Sequence, residues 1–218
     1  LALVTWGSRG IGFAVASSLY RRGCRVYIVG RSRERLERAC EAIVRGSSPE
    51  PPVPLPADLS QSSEVARLVE RFPEQRLDIL INNAGVAANK RLEDTSDDEW
   101  RAHFAVNVDA PFRLIRGFLP RLRLGTDPCV ANIGSVVSTK GYVNQGAYSA
   151  SKHALLGLTK VFARELHGDG IRLFSVEPGG VATDMVRAMR PDIDETALTR
   201  PEEVAETILH LIGLTGGA

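Results

Sequence analysis

Tyr148 and Lys152 stand four residues apart in the run Tyr148-Ser149-Ala150-Ser151-Lys152. In a helix, that spacing puts the phenol and the ammonium over one another on one face. A tyrosine with a pKa of ~10 handles protons poorly at neutral pH, and a cation beside it favours the phenolate and draws the value towards the working range. The pair therefore suits general acid–base work. Alone it is a weak signal, because the same spacing decorates many solvated helix faces.

A second stretch with chemical use is Thr5-Trp6-Gly7-Ser8-Arg9-Gly10-Ile11-Gly12. Its glycines let a backbone approach a pyrophosphate, and the helix that follows presents free N–H groups and a partial positive charge to the anion. The bland reading is a plain glycine-rich turn. The position between a first strand and its helix is the context that nucleotide binding requires.

The elements that must hold these residues alternate. Leu1 to Thr5 reads as a strand, and Ile11, Ala14, Val15, Ser18 and Leu19 fit a core-facing helix. Arg25 to Gly30 is a second strand, and Glu34 to Val44 an amphipathic helix closed by Gly46 and a Ser/Pro segment. Val53 to Ala57 reads as a third strand, confined to a sheet edge by Pro54 and Pro56, which cannot donate to a ladder. Ser62 to Phe72 follows as a helix, Leu77 to Asn82 as a buried strand, and Asp97 to Leu119 as a long helix with Trp100, Phe104, Val108, Phe112 and Ile115 on its apolar face. Cys129 to Ile133 and Ile171 to Val176 are strands flanking a second long helix, Ala147 to His167. Pro201 opens a last helix with Val204, Ile208, Leu211 and Ile212 on one side. This alternation predicts one α/β domain over residues 1–218, a doubly wound parallel sheet with helices on both faces.

With 218 residues, 44% hydrophobic content and a formal charge of +1, the chain has enough apolar material for one core. Its basic residues are dispersed and no run approaches ~18 apolar residues, so neither nucleic acid nor membrane is expected as a partner. Cys24, Cys40 and Cys129 are isolated, which suits reduced packing residues of an intracellular protein, cytoplasmic or of the mitochondrial matrix. His103, His153, His167 and His210 lack metal spacing, and no metal is expected. The chain starts at Leu1 without a methionine, compatible with a removed leader or a trimmed start.

Thr5 to Gly12 resembles the T-G-x-x-x-G-I-G turn of the short-chain dehydrogenase/reductase family. Asp58-Leu59 is similar to that family's adenine-contacting segment, and Asn82-Asn83-Ala84-Gly85 to its N-N-A-G motif. Asn107 falls at its active-site asparagine, Ser135 lies thirteen residues before Tyr148 as its catalytic serine does, and Pro178-Gly179 with Val181 and Thr183 looks like its P-G-x-x-x-T segment. The resemblance implies a Rossmann fold and a catalytic set of Asn107, Ser135, Tyr148 and Lys152. In it, Ser135 donates to a carbonyl oxygen, Tyr148 protonates that oxygen, Lys152 binds the nicotinamide ribose and lowers the tyrosine pKa, and Asn107 holds a water that links Lys152 to solvent. It also implies a cofactor site of Gly7, Ser8, Arg9, Gly10, Ile11, Gly12, Arg31, Asp58, Leu59, Asn83, Ala84, Gly85, Pro178, Gly179, Val181 and Thr183, together with Tyr148 and Lys152.

Two departures stand out. Trp6 occupies the place of the family's first glycine, where φ > 0 would cost a bulky residue roughly 1–3 kcal/mol. Gly7 is placed to relieve that strain, and the indole is expected to swing away from the ribose. The chain also ends at Ala218, soon after the last helix, where the family adds a seventh strand, so six strands are expected.

Cofactor choice follows from charge. Strand two ends at Gly30-Arg31 without a carboxylate for a ribose 2′-hydroxyl, and Arg9 and Arg31 together suit a 2′-phosphate, which favours NADPH. Met185, Val186, Met189 and Ile193 offer apolar lining for a substrate. Gln145 and the Gly179 to Met185 run resemble the 3-oxoacyl-[acyl-carrier-protein] reductase and carbonyl reductase branch. The expected activity is NADPH-driven reduction of a ketone, quinone or 3-oxoacyl thioester. The alternatives are an alcohol or hydroxysteroid dehydrogenase and, from another class, a non-catalytic dinucleotide sensor or subunit. The resemblance further implies a homodimer through the two long helices, or a homotetramer, with related subunits as another arrangement.

Overall fold

The computed structural model describes residues 1–44 and 50–214. Its centre is a parallel sheet of β1 (Ala2–Thr5), β2 (Val26–Gly30), β3 (Val53–Pro56), β4 (Ile79–Asn82), β5 (Cys129–Ile133) and β6 (Arg172–Val176), in the order β3-β2-β1-β4-β5-β6. The order reverses at β1, so a crevice opens between the carboxyl ends of β1 and β4, where open α/β sheets take ligands. As the prolines predict, β3 is an edge: Pro54 and Pro56 stand opposite Ile28 and Gly30 of β2. The helix stop expected at Gly46 lies outside the described residues, as do residues 215–218.

Strand residues alternate between two cores. Ala2, Val4, Val26, Ile28, Ile79, Ile81, Cys129 and Ala131 face one side, covered by α1 (Gly10–Arg21), α2 (Arg33–Ile43) and α8 (Pro201–Gly213). Leu3, Tyr27, Val29, Leu80 and Val130 face the other, covered by α3 (Ser62–Glu70), α5 (Ala110–Leu122) and α6 (Gly146–Glu165). The thiols of Cys40 and Cys129 are pushed up by burial to about 11 and about 12, which leaves them as packing groups.

The long helix expected over 97–119 is interrupted. It runs as α4 (Asp97–Phe104), a π-helical segment at Ala105–Asp109, and α5. The cause is Pro111: it has no N–H to give the carbonyl of Asn107 four residues back, and its ring crowds that carbonyl. The extra residue in the π turn rotates the following face. The core side is therefore Val106, Ala110, Leu114, Ile115, Phe118 and Leu122, while Trp100 of the expected apolar face is 39% exposed and Phe104, Val108 and Phe112 are half-buried.

A buried polar chain pins α6 to the sheet. Asn82 Nδ2 donates to Asn132 Oδ1 at 2.8 Å, and Asn132 Nδ2 donates to Thr159 Oγ1 at 2.8 Å. Asn132 is fully buried, so removing its amide leaves Asn82 Nδ2 without its acceptor and Thr159 Oγ1 with its bond to Leu155 O alone. Asn132→Val should lower stability by about 2 kcal/mol in urea denaturation; a loss under about 0.5 kcal/mol would show that the chain is not a structural tie.

Candidate active site

A cleft of about 290 Å³ opens at the carboxyl edge of the sheet. It brings together Arg9, Gly10, Ile11, Asn83, Gly85, Tyr148, Lys152 and Thr183 of the expected residues. Beside them it adds Phe13, Ile133, Gly134 and Met185, and from the far side Asp184, Arg187, Pro201 and Glu202.

Tyr148 and Lys152 sit in the first two turns of α6, 9% and 3% exposed. Lys152 Nζ donates to the Ile133 carbonyl at 2.6 Å and lies 6.0 Å from the centre of the Tyr148 ring. Burial draws the Lys152 ammonium down to about 8, against the attraction of Glu177. Burial also raises the Tyr148 phenol; the hydrogen bond with the Ser135 side chain lowers it, and the charge of Glu177 raises it. The lowering expected from Lys152 is thus not found. The ammonium is spent on Ile133, and the group that favours the phenolate is Ser135.

Ser135 follows β5 and caps the short 3-10 turn Val136–Ser138, its Oγ accepting from the Val137 N–H at 3.3 Å. It reaches the cleft through the phenol of Tyr148 rather than by lining it. Asn107 lies in the π segment, fully buried. Its Oδ1 accepts from the Val86 N–H at 2.8 Å, and its Nδ2 donates to Val86 O and Ser151 Oγ, both at 2.9 Å. Both amide hydrogens are therefore committed, and a water would be held through the remaining lone pair of Oδ1. Gly85 lies between the two groups: a Cβ there would lie 3.4 Å from Lys152 Nζ and 3.5 Å from Asn107 Oδ1.

The glycine turn is built for an anion. Arg9 is the N-cap of α1 without a side-chain cap, and no acid stands in the first turn, so the helix N–H groups are open to a phosphate. A Cβ on Gly12 would fall 2.4 Å from Trp6 O and 2.5 Å from Asn83 Nδ2, so the turn and the loop after β4 meet there as only glycine allows. Thr5 Oγ1 closes the same junction, accepting from Asn83 and Ala84 N–H at 2.8 and 2.9 Å. These residues fit a dinucleotide's pyrophosphate.

Three expectations at the cofactor end are corrected. Trp6 takes the strained conformation itself, with φ +51°, and Gly7 does not relieve it. Gly7 is glycine for packing, since its Cβ would lie 2.5 Å from Ile28 Cγ2. Nor does the indole swing clear: Trp6 lines the cleft and packs on the core cluster that contains Val29, Leu59 and Ala84. Arg9 does not join Arg31 but pairs across the cleft with Asp184 at 2.9 Å, the anion nearest its reach. Arg31 stands exposed at the end of β2.

Other expected residues lie around the cleft without lining it. Leu59, Ala84 and Val181 are core residues, and Asp58 Oδ1 accepts from the Ser60 N–H and hydroxyl as a local turn cap. Gly7 is buried, Ser8 half-buried, Gly179 exposed, and Pro178 O accepts from the Val136 N–H at 2.9 Å. Of the expected substrate lining, Met185 is present, while Val186 and Met189 are half-buried on α7 (Asp184–Met189) and Ile193 lies beyond it. The sequence reading missed Glu177, Gly134 and Asp184. Glu177 immediately precedes Pro178-Gly179, so a charged residue inside a recognised motif was the available signal. Among the described residues no group of three His, Cys, Asp or Glu could hold a metal, and no helix is long and apolar enough to cross a membrane.

Comparison with known proteins agrees with this geometry. The family described as short chain dehydrogenase matches residues 1–194. A 3-oxoacyl-[acyl-carrier-protein] reductase of rhamnolipid biosynthesis from Pseudomonas aeruginosa is 36% identical, over 99% of this chain and 90% of the relative. A D-beta-hydroxybutyrate dehydrogenase from Rhizobium meliloti is 31% identical over 95% of this chain and 81% of its own. A crystal structure of a short chain dehydrogenase from Shigella flexneri, complexed with NADP, superposes with a TM-score of 0.91 at 30% identity, covering 97% of this chain and 90% of that one.

Trp6 lines the cleft and packs against the cluster of Leu59 and Ala84, while Arg31, Asp58, Leu59 and Ala84 do not line it. Trp6→Gly should therefore bind NADPH about tenfold more tightly in calorimetry, of the order of the backbone strain released. Reduced nicotinamide mononucleotide, which has no adenosine, should bind the variant and the parent alike. A gain for both ligands, or for neither, would clear the indole of obstructing the adenosine side.

Proposed function

The chain belongs to the short chain dehydrogenases and is an oxidoreductase, and on that premise we propose that it reduces a ketone to a secondary alcohol with NADPH, using Ser135, Tyr148 and Lys152. The observation that carries this reading is the buried Tyr148 phenol at the cleft wall, with Lys152 Nζ 6.0 Å from its ring and the Ser135 side chain near enough to favour its ionised form.

The cofactor would rest its pyrophosphate on the α1 N-terminus and its nicotinamide ribose near Lys152, and would supply the hydride. The chain's own part is the oxygen. The Ser135 hydroxyl donates to the substrate carbonyl oxygen, and the Tyr148 O–H gives its proton there as negative charge develops. Once the alcohol has left, the single Ser135 O–H is free to turn to the phenolate that remains. Lys152, held by Ile133 O, keeps a positive charge within reach, and a water on the remaining lone pair of Asn107 Oδ1 would return the proton.

Preference for NADPH is supported by Arg31 at the end of β2 with no carboxylate beside it; Arg9 would have to leave Asp184 to assist. A 3-oxoacyl thioester is the substrate the relatives favour, and exposed apolar side chains on which a long acyl chain could lie stand on the loops before α4 and α6. Leu92, Tyr142 and Val143 stand 62%, 45% and 88% exposed on two loops joined by Lys90 N–H to Asn144 O at 2.7 Å. The hydroxybutyrate dehydrogenase relative supports a second reading, oxidation of a hydroxy acid by the same residues in reverse. A sensor would need none of this constellation.

Tyr148→Phe should lower kcat by ~10²-fold or more with NADPH affinity nearly unchanged, and kcat/KM should favour NADPH over NADH. Full activity in the variant, or equal use of both cofactors, would refute the respective assignment. We also propose a homodimer through α4, α5 and α6, where Trp100 stacks on Phe104, Phe112 on Phe162, and Val161 is 53% exposed. Val161→Asp should shift sedimentation from dimer to monomer; an unmoved boundary would place the contact elsewhere.

A further inference from the structure

Glu177 lies between the end of β6 and Pro178, and its carboxylate is turned inwards. Oε2 accepts from the backbone N–H of Ser135 at 2.7 Å, and Oε1 accepts from the Ser175 hydroxyl. The ends of β5 and β6 are zipped on either side of that contact, with Gly134 N–H to Val176 O at 2.8 Å and Val136 N–H to Pro178 O at 2.9 Å. The Ser135 N–H is thus the one that this junction leaves to side chains, to Glu177 Oε2 at 2.7 Å and, more weakly, to Ser138 Oγ at 3.2 Å. Gly134 makes room: a Cβ there would lie 2.0 Å from Oε2, so the carboxylate lies against the glycine and a side chain at 134 would push it off the Ser135 N–H. On the same short stretch, Lys152 Nζ holds the Ile133 carbonyl at 2.6 Å.

We propose that Glu177 is a positioning residue of the reaction, fixing the Ser135 turn through its N–H and standing as counter-charge to the Lys152 ammonium across Ile133 and Gly134. This rests on the reading of Ser135, Tyr148 and Lys152 as the reacting set. Two tasks meet in one carboxylate. A catalytic hydroxyl on a three-residue turn is only as well placed as the turn's backbone, and Glu177 ties that backbone to β6. A fully desolvated ammonium needs an opposing charge to stay protonated. The titratable groups on which Glu177 acts are both on α6, Tyr148 and Lys152; on β5 and β6 its neighbours are the non-titrating Ser135 and Ser175. The same charge hinders ionisation of Tyr148, so the site holds its lysine charged at some cost to the phenolate.

Glu177→Gln keeps an oxygen for the Ser135 N–H and removes the charge, whereas Glu177→Ala removes both. The chain has four lysines, Lys90, Lys140, Lys152 and Lys160, so 13C-labelled lysine gives a resolvable titration in the protein without cofactor, with Lys152→Arg assigning the signal. In the parent, the Lys152 resonance should titrate near 8. In Glu177→Gln it should titrate lower by about half a pH unit or more. Turnover should separate the two tasks: Glu177→Ala should lose ~10-fold more kcat than Glu177→Gln at pH 6.5, with KM for NADPH unmoved in both. An unshifted Lys152 signal overturns the counter-charge, and equal kcat in both variants overturns the tie to Ser135. If Glu177→Ala does not fold, the Gln variant alone decides the first point, and its fully retained kcat at pH 6.5 would be the result the tie predicts for a kept acceptor. An inactive site would be recognised separately, by a Tyr148→Phe variant no slower than the parent, and would leave the titration result standing.

Discussion

A lysine ammonium with 3% of its surface exposed has to be met by acceptors and by opposite charge, and the carboxyl edge of this sheet is arranged around meeting it. Ile133 O takes one N–H at the end of β5, and Glu177 brings the charge from the end of β6. Neither would be in register without the parallel pairing of those two strands, which runs from Cys129 opposite Arg172 to Ile133 opposite Val176. The helix that carries the lysine is held by a different interaction, the amide chain from Asn82 through Asn132 to Thr159. Sheet register and helix position thus share Asn132 and converge on one nitrogen.

The same economy explains the π segment. Pro111 forbids a regular turn at Asn107, and the break points the Asn107 amide at the Val86 backbone and at Ser151 of α6. One side chain then joins the loop after β4, the broken helix and the helix of Tyr148. A straight helix with the same residues would bury a different stripe and leave that loop without its tie.

Much of this was legible in the sequence, for reasons that differ by element. Strands buried on both faces announce themselves as apolar runs, and two prolines confined β3 to the edge without any knowledge of its neighbours. The spacing of Tyr148 and Lys152 needed only helical geometry. Pro111 was also in plain view, but an apolar pattern at near-helical period outweighed one proline in the reading, and the face of α4 and α5 was misplaced. For Glu177 the one signal was its place beside a motif, and for Asp184 there was none: a carboxylate's role depends on which loop folds against it, and the partners, Ser135 and Arg9, lie 42 and 175 residues away in the chain. Long-range pairing of single polar residues leaves no periodic trace.

The two ends of the cleft are built by opposite rules. Around Tyr148 and Lys152 the polar groups of Lys152, Asn107 and Ser151 are tied by buried hydrogen bonds, as suits groups that must be in place before a substrate arrives. At the other end a tryptophan is held at φ +51° and Arg9 is paired across the opening with Asp184, both more than half exposed at the side chain. An exposed ion pair is worth little and is easily exchanged for a phosphate, and a strained tryptophan gains by moving. Rigidity is thus concentrated where protons move. The capacity to rearrange is concentrated where the larger ligand would enter, and the glycine turn between them, fixed by Thr5 and Gly12 to the loop after β4, keeps one from disturbing the other.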